Sequence, residues 1–197
     1  MTRIFTPQKA ASPSIVVRSS ALALLALAAT SATLLADTSK RHAESHEHGA
    51  ATLEIAVDGN KLLAEFTSPA MNIVGFEHIA EDESDISSVK TAIENLKEGE
   101  KLILLEQGGC TLTNVTIEAE GLLQDAHEAH EEDEHDGHSE FEAAYKFTCT
   151  TPDALKTVAV GFFKAWPGIE EIETVFLSEK HQISAELMPN APQFEVE

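Results

Sequence analysis

Cys110-Thr-Leu-Thr-Asn-Val-Thr-Ile-Glu-Ala119 and Glu140-Phe-Glu-Ala-Ala-Tyr-Lys-Phe-Thr-Cys149 decide the fold. Residues 111–119 and 140–148 are rich in Thr, Val, Ile, Phe and Tyr, which suit a pleated, half-buried surface. Each run therefore predicts a strand. If the two pair antiparallel with Glu118 opposite Phe141, Cys110 falls opposite Cys149, because partner numbers in a regular hairpin share one sum. These are the only two cysteines, and in an exported chain an even pair reads as a disulfide, whereas in a cytosolic chain it would suggest free thiols. An oxidising compartment and the long spacing both disfavour a cysteine zinc pair. Closing a loop of this length stabilises a fold by about 4 kcal/mol in the chain-entropy account.

Outward from the hairpin, further short elements follow. Ala51-Thr-Leu-Glu-Ile-Ala-Val57 alternates apolar and polar residues, Asp58-Gly59-Asn60 has turn chemistry, and Lys61-Leu-Leu-Ala-Glu-Phe-Thr67 makes the return strand before Pro69. Glu83 to Leu96 predicts a helix with Ile86, Val89, Ile93 and Leu96 on one face, Ser84 or Asp85 as cap, and Gly99 as its close. Lys101–Leu105, Val158–Trp166 and Glu173–Leu177 read as further strands. Residues 172–189 loosely echo 52–69 as a second hairpin ending at proline. Trp166, Phe162 and Phe163 are expected in the core. The fold class is α+β: a mainly antiparallel β single domain with a disulfide-tied hairpin and a disordered loop rich in His and acids.

The chain has 197 residues with 13 Lys+Arg against 34 Asp+Glu, a formal charge of −21. Three of the bases, Arg3, Lys9 and Arg18, precede an apolar run, Ala21–Ala29, in a stretch without acids. That pattern reads as a signal peptide over 1–36, cleaved after Ala36. An uncleaved anchor is the alternative, but the apolar run is far short of the roughly 20 residues that span a bilayer. Cleavage leaves ten bases against 34 acids, or −24. Such a surface repels phosphates and anionic lipid and attracts cations, so no nucleic-acid partner is expected, and no later segment is apolar enough for membrane insertion after cleavage. Residues 37–49 read as a flexible His-containing segment and 50–197 as the domain, with a metal-capture insertion at about 124–139.

Seven of the nine histidines fall in two stretches: His42, His46 and His48, then His127, His130, His135 and His138. Neutral imidazole is a good ligand for zinc, nickel, cobalt and copper(II). In an extended chain His46 and His48 point to one side. Residues 124–140 hold four His and eight acids and almost nothing that could pack into a core, so the segment is expected to be mobile when empty. On a helix its four histidines would share an arc of about 140°. Gly137 argues against helix through its end, but a loop could also wrap them around a tetrahedral ion. Carboxylates beside them would ligate or orient the rings. The bland alternative is a solvated acidic linker without ligands. His78, in the half-apolar stretch Pro69–His78, reads either as a structural residue or as a ligand completing a site with His46 or His48. His181 reads as a plain surface residue in a turn. Met71 and Met188 are isolated from one another, so no methionine-rich copper(I) site is visible. No nucleophile, phosphate loop or metalloprotease motif is present, and no enzyme is expected.

His46-Glu-His48-Gly49-Ala50-Ala51-Thr52-Leu53, the Asp58–Asn60 turn, Ser68-Pro69-Ala70-Met71-Asn72-Ile73-Val74-Gly75-Phe76-Glu77-His78, Cys110, the His/acid-rich insertion, Tyr145–Cys149 and Phe162–Pro167 together resemble the ZrgA family. These are periplasmic zinc-uptake accessory proteins of Gram-negative bacteria. The resemblance covers essentially the whole chain after the leader. It implies a periplasmic zinc-binding role tied to uptake through an envelope zinc-transport component, and it supplies no ligand list. The sequence thus predicts that zinc is captured by the histidines and passed on. Buffering of zinc or nickel without delivery is the alternative, and a metal-free acidic adaptor with pH-sensing histidines is a third reading.

Overall fold

Strict alternation of buried and exposed residues builds the main sheet. The computed structural model describes residues 47–123 and 139–196. The expected signal peptide, the segment containing His42 and His46, and the insertion with His127, His130, His135 and His138 lie outside the described residues. Strands β1 (Ala50–Asp58) and β2 (Lys61–Pro69) form a hairpin about Gly59. The short helix α1 (Ala70–Ile73) follows Pro69, and then α2 (Glu83–Leu96), α3 (Gly99–Leu102) and β3 (Ile103–Glu106). The long hairpin is β4 (Cys110–Glu120) with β5 (Glu140–Cys149). After it come β6 (Thr157–Val160), α4 (Phe162–Ala165), β7 (Glu171–Leu177), β8 (Gln182–Leu187) and β9 (Gln193–Glu195).

The strands make a six-stranded sheet in the order β4-β5-β2-β1-β7-β8 and a three-stranded sheet β3-β6-β9. Every pairing is antiparallel except β1 with β7, which bring the first strands of the two echoing hairpins side by side. Leu53, Ile55, Leu62, Phe66, Phe141, Tyr145, Phe147 and Phe176 point from the large sheet into one core with Val89 and Leu96 of α2. Phe162 stacks on Phe66 with ring centroids 4.0 Å apart, and Trp166 lies beside it; Phe163 is half-buried against the same cluster. The Tyr145 hydroxyl donates to the Leu96 carbonyl at 2.9 Å, tying the end of α2 to β5. The fold is therefore the α+β, antiparallel-rich domain that the sequence predicts, with the Cys110–Cys149 disulfide in place.

Four local expectations need correction. Asp82, not Ser84 or Asp85, caps α2: its carboxylate accepts the Asp85 amide at 2.9 Å. Gly99 does not close that helix. It opens α3, and a Cβ there would stand 2.5 Å from the Tyr145 ring, so the position is glycine to admit the tyrosine. Lys101 and Leu102 belong to α3, the strand starting only at Ile103. Val158–Trp166 is strand only to Val160 and then turns through α4, which swings Phe162 into the core; apolar content alone does not separate a short buried strand from a helical turn.

The hairpin register holds at its base and shifts above it. Cys110 faces Cys149, but Glu118 faces Glu142 rather than Phe141, because Thr113 is an extra residue between the Leu112–Phe147 and Asn114–Lys146 pairs. Its hydroxyl donates to the Lys146 carbonyl at 2.8 Å. Residues directly opposite share a face, so the expected register would have turned Glu118 inward beside buried Phe141. The bulge restores Val115, Ile117 and Ala119 to the inner face and sends Glu118 and Glu120 outward.

Candidate metal centre

His48 immediately precedes Gly49, whose φ of +93° lies in the left-handed region that favours glycine. The chain turns there into β1. The Gly49 carbonyl accepts the Glu170 and Glu171 amides, and its own amide donates to Asn72 Oδ1 at 2.7 Å. Asn72 Nδ2 in turn donates to the Ala50 carbonyl at 2.8 Å and to Ser68 Oγ at 3.2 Å. Asn72 stands in α1, and the chain leaves that helix through Gly75 into Phe76-Glu77-His78. His48 is thereby held across from this segment, its Nε2 3.2 Å from Glu77 Oε1.

His78 has a partner of its own. Its Nε2 lies 3.1 Å from Asp85 Oδ2 in the first turn of α2, and its ring packs on Phe76 with centroids 4.7 Å apart. His78 and Asp85 line a shallow acidic depression with Ile79, Glu81 and Asp82. Both imidazoles are more than half exposed, whereas Glu77 and Asp85 are mostly covered. A carboxylate so placed orients an imidazole and raises its basicity as a ligand. The separation also has a second use. Zinc bonds of about 2.0–2.1 Å in tetrahedral geometry set neighbouring ligand atoms roughly 3.3 Å apart, so the His48–Glu77 pair has the spacing of two ligands on one ion.

Both ends of the 124–138 segment are fastened beside this pair. The Ala80 amide donates to the carbonyl of buried Leu122 at 2.9 Å, and the Ala70 amide donates to the Ser139 carbonyl at 2.9 Å. Ser139 is 1% exposed, and its hydroxyl stands 3.0 Å from the carbonyls of both Glu77 and Gly121. Residues 70–80 therefore carry Glu77 and His78 and also hold the two stems of the histidine-rich insertion.

A third feature comes from the bulge. On the outer face of the sheet Glu118 opposes Glu142 and Glu120 opposes Glu140. Glu120, Glu140 and Glu142 each offer an oxygen within 4.8 Å of the others. Burial first, then Glu142 and Glu120, push the Glu140 carboxyl up to about 7. Glu54 opposes Glu65 and Glu173 opposes Glu186 on the same face. Directly opposed like charges destabilise a sheet, so this face stores repulsion that protons or cations relieve.

Among the described residues, no group of three ligand-type side chains drawn within 4.8 Å includes a histidine. His48 and His78 are each paired with a carboxylate, Glu77 and Asp85, rather than brought into one such group. His181 sits in the turn between β7 and β8, its amide donating to Ser178 Oγ. Sequence reading missed Asn72, Glu77 and Asp85 as partners. Glu77 and Asn72 stand inside the quoted Pro69–His78 stretch, but only the long-range contacts with 48–50 give them roles. The glutamate trio had a visible signal: apolar parity on β4 changes between Leu112 and Val115.

The model of a family described as ZrgA family zinc uptake proteins matches residues 45–196. That span takes in every described element from β1 to β9. None of the curated proteins compared with the chain matches it.

Proposed function

This chain belongs to the ZrgA family of zinc uptake proteins, and on that premise we propose that it binds zinc in the periplasm and assists its uptake. In this reading His127, His130, His135 and His138 capture the ion from dilute solution, with His42 and His46 adding donors near His48. The ion then passes to a fixed site that includes His48 and Glu77, with His78 and Asp85 beside it. From there it is handed to an envelope transport component. No chemical step is catalysed.

The observation that carries this reading is the anchorage of both insertion stems, Leu122 and Ser139, to the residues around Glu77. A loop tethered this way keeps its cargo close to the fixed pair, because effective concentration falls as the tether lengthens. The donor chemistry agrees: imidazole with carboxylate suits a borderline cation, although nickel, cobalt and copper(II) also accept such ligands. The high negative charge adds a field that draws any divalent ion inward.

Calorimetric zinc titration of the chain lacking its leader, with and without residues 124–138, tests the assignment. Deletion should lower the stoichiometry by at least one ion while the far-ultraviolet spectrum stays that of the folded domain. Equal stoichiometry would remove the insertion's role. Growth tests then separate delivery from buffering: a delivery protein is needed under chelation, and a buffer under zinc excess.

A further inference from the structure

Three of the five buried polar side chains among the described residues gather in one place: Ser68, Asn72 and Ser139 are 0%, 5% and 1% exposed. Burying such groups is costly unless they are hydrogen-bonded, and among the described residues no buried side-chain nitrogen or oxygen lacks a partner. Their concentration beneath His48 and Glu77 is therefore a specified piece of architecture. The hydrophobic core does not need it.

We propose that Asn72 is the positioning residue of the metal centre, its buried carboxamide setting how far the His48 imidazole stands from the Glu77 carboxylate. This rests on the reading of His48 and Glu77 as zinc ligands. Asn72 touches neither side chain. It grips the backbone on the far side of His48, accepting from Gly49 and donating to Ala50. Its own helix turn leads through Gly75 to Glu77. A single planar amide, with acceptor and donor pointing the same way, thus fixes two segments 23 positions apart in sequence. Ser68 takes the second amide hydrogen, at 3.2 Å, which settles the orientation of the carboxamide. Ser139 steadies the Glu77 end through its hydroxyl. Partners bonded directly to ligands typically change metal affinity by about 10–100-fold when removed, and a residue acting one step further out, through the backbone, belongs at the low end of that range.

The test is a histidine-ring NMR titration of the chain lacking its leader, with zinc ion alone as the probe. His48→Ala identifies the His48 signal. Asn72→Ala should raise the zinc concentration at half-response of His48 by about tenfold, while the signals of His78 and of the insertion histidines keep their midpoints. An unchanged His48 midpoint in the folded variant would overturn the proposal, and so would equal weakening at every histidine. Should Asn72→Ala fail to fold, Asn72→Ser is measured in its place, since its hydroxyl leaves the cavity polar but cannot span both partners. A parent His48 signal that ignores zinc would instead refute the ligand reading itself, and the role of Asn72 with it.

Discussion

Glu140 joins two parts of the protein: it is the second residue after the histidine-rich segment and a half-buried member of the outer-face carboxylate trio. Its raised pKa has a definite consequence for stability. Below about pH 4.5 the carboxyl is protonated in both folded and unfolded chains and contributes nothing. Between about 4.5 and 7 the unfolded chain releases the proton first, so the folded state loses stability as pH rises. In metal-free protein, Glu140→Gln should therefore stabilise the domain at pH 8 and have little effect at pH 4. After discounting for solvent screening the gain is about 1 kcal/mol, read as a urea midpoint at the two pH values. A gain of equal size at both would show that packing, not charge, is responsible. Gly99 offers a steric counterpart. Adding a methyl group against the Tyr145 ring should cost about 1–3 kcal/mol in Gly99→Ala, measured by the same unfolding curve.

At the scale of elements, the β4–β5 hairpin organises the molecule. The Cys110–Cys149 bridge closes its open end, and the histidine-rich segment emerges from the other. Reduction should lower stability by up to about 4 kcal/mol, visible as an earlier thermal transition in reductant, with the same family of strands in the far-ultraviolet spectrum below it. The bulge at Thr113 is the second control point. Deleting Thr113 would join Leu112 to Asn114 in a regular ladder, with Leu112, Val115, Ile117 and Ala119 still inward and Glu118 and Glu120 still outward. The deleted chain should therefore keep a cooperative transition by calorimetry, and loss of that transition would show that the bulge itself is required. The strands of this hairpin and the cysteine pairing were legible from composition and a shared sum. The bulge was legible only as a parity change, and that signal was overridden by assuming a regular ladder.

At the scale of the whole molecule, charge dominates. Thirty-four acids against 13 bases, with four directly opposed glutamate pairs on one sheet face, make the metal-free protein electrostatically strained. Raising salt from 10 to 500 mM should therefore raise its melting temperature by a few degrees, because screening relieves repulsion between exposed like charges. Zinc affinity should fall with acid, because binding displaces protons from the ligands and falling pH favours release of the ion. A zinc midpoint flat from pH 7.5 to 5.5 would point to carboxylate ligands alone. Local sequence determined the strands, the main helix, the disulfide partners and the histidine spacing. Period and pairing arithmetic are properties of neighbouring residues, and they survive without the fold. Only the tertiary structure decided that Asn72 holds the turn after His48, that Glu77 and Asp85 are the histidines' partners, and that Leu122 and Ser139 anchor beside them. Those contacts join segments far apart in the chain, and their distances are set by how the core packs.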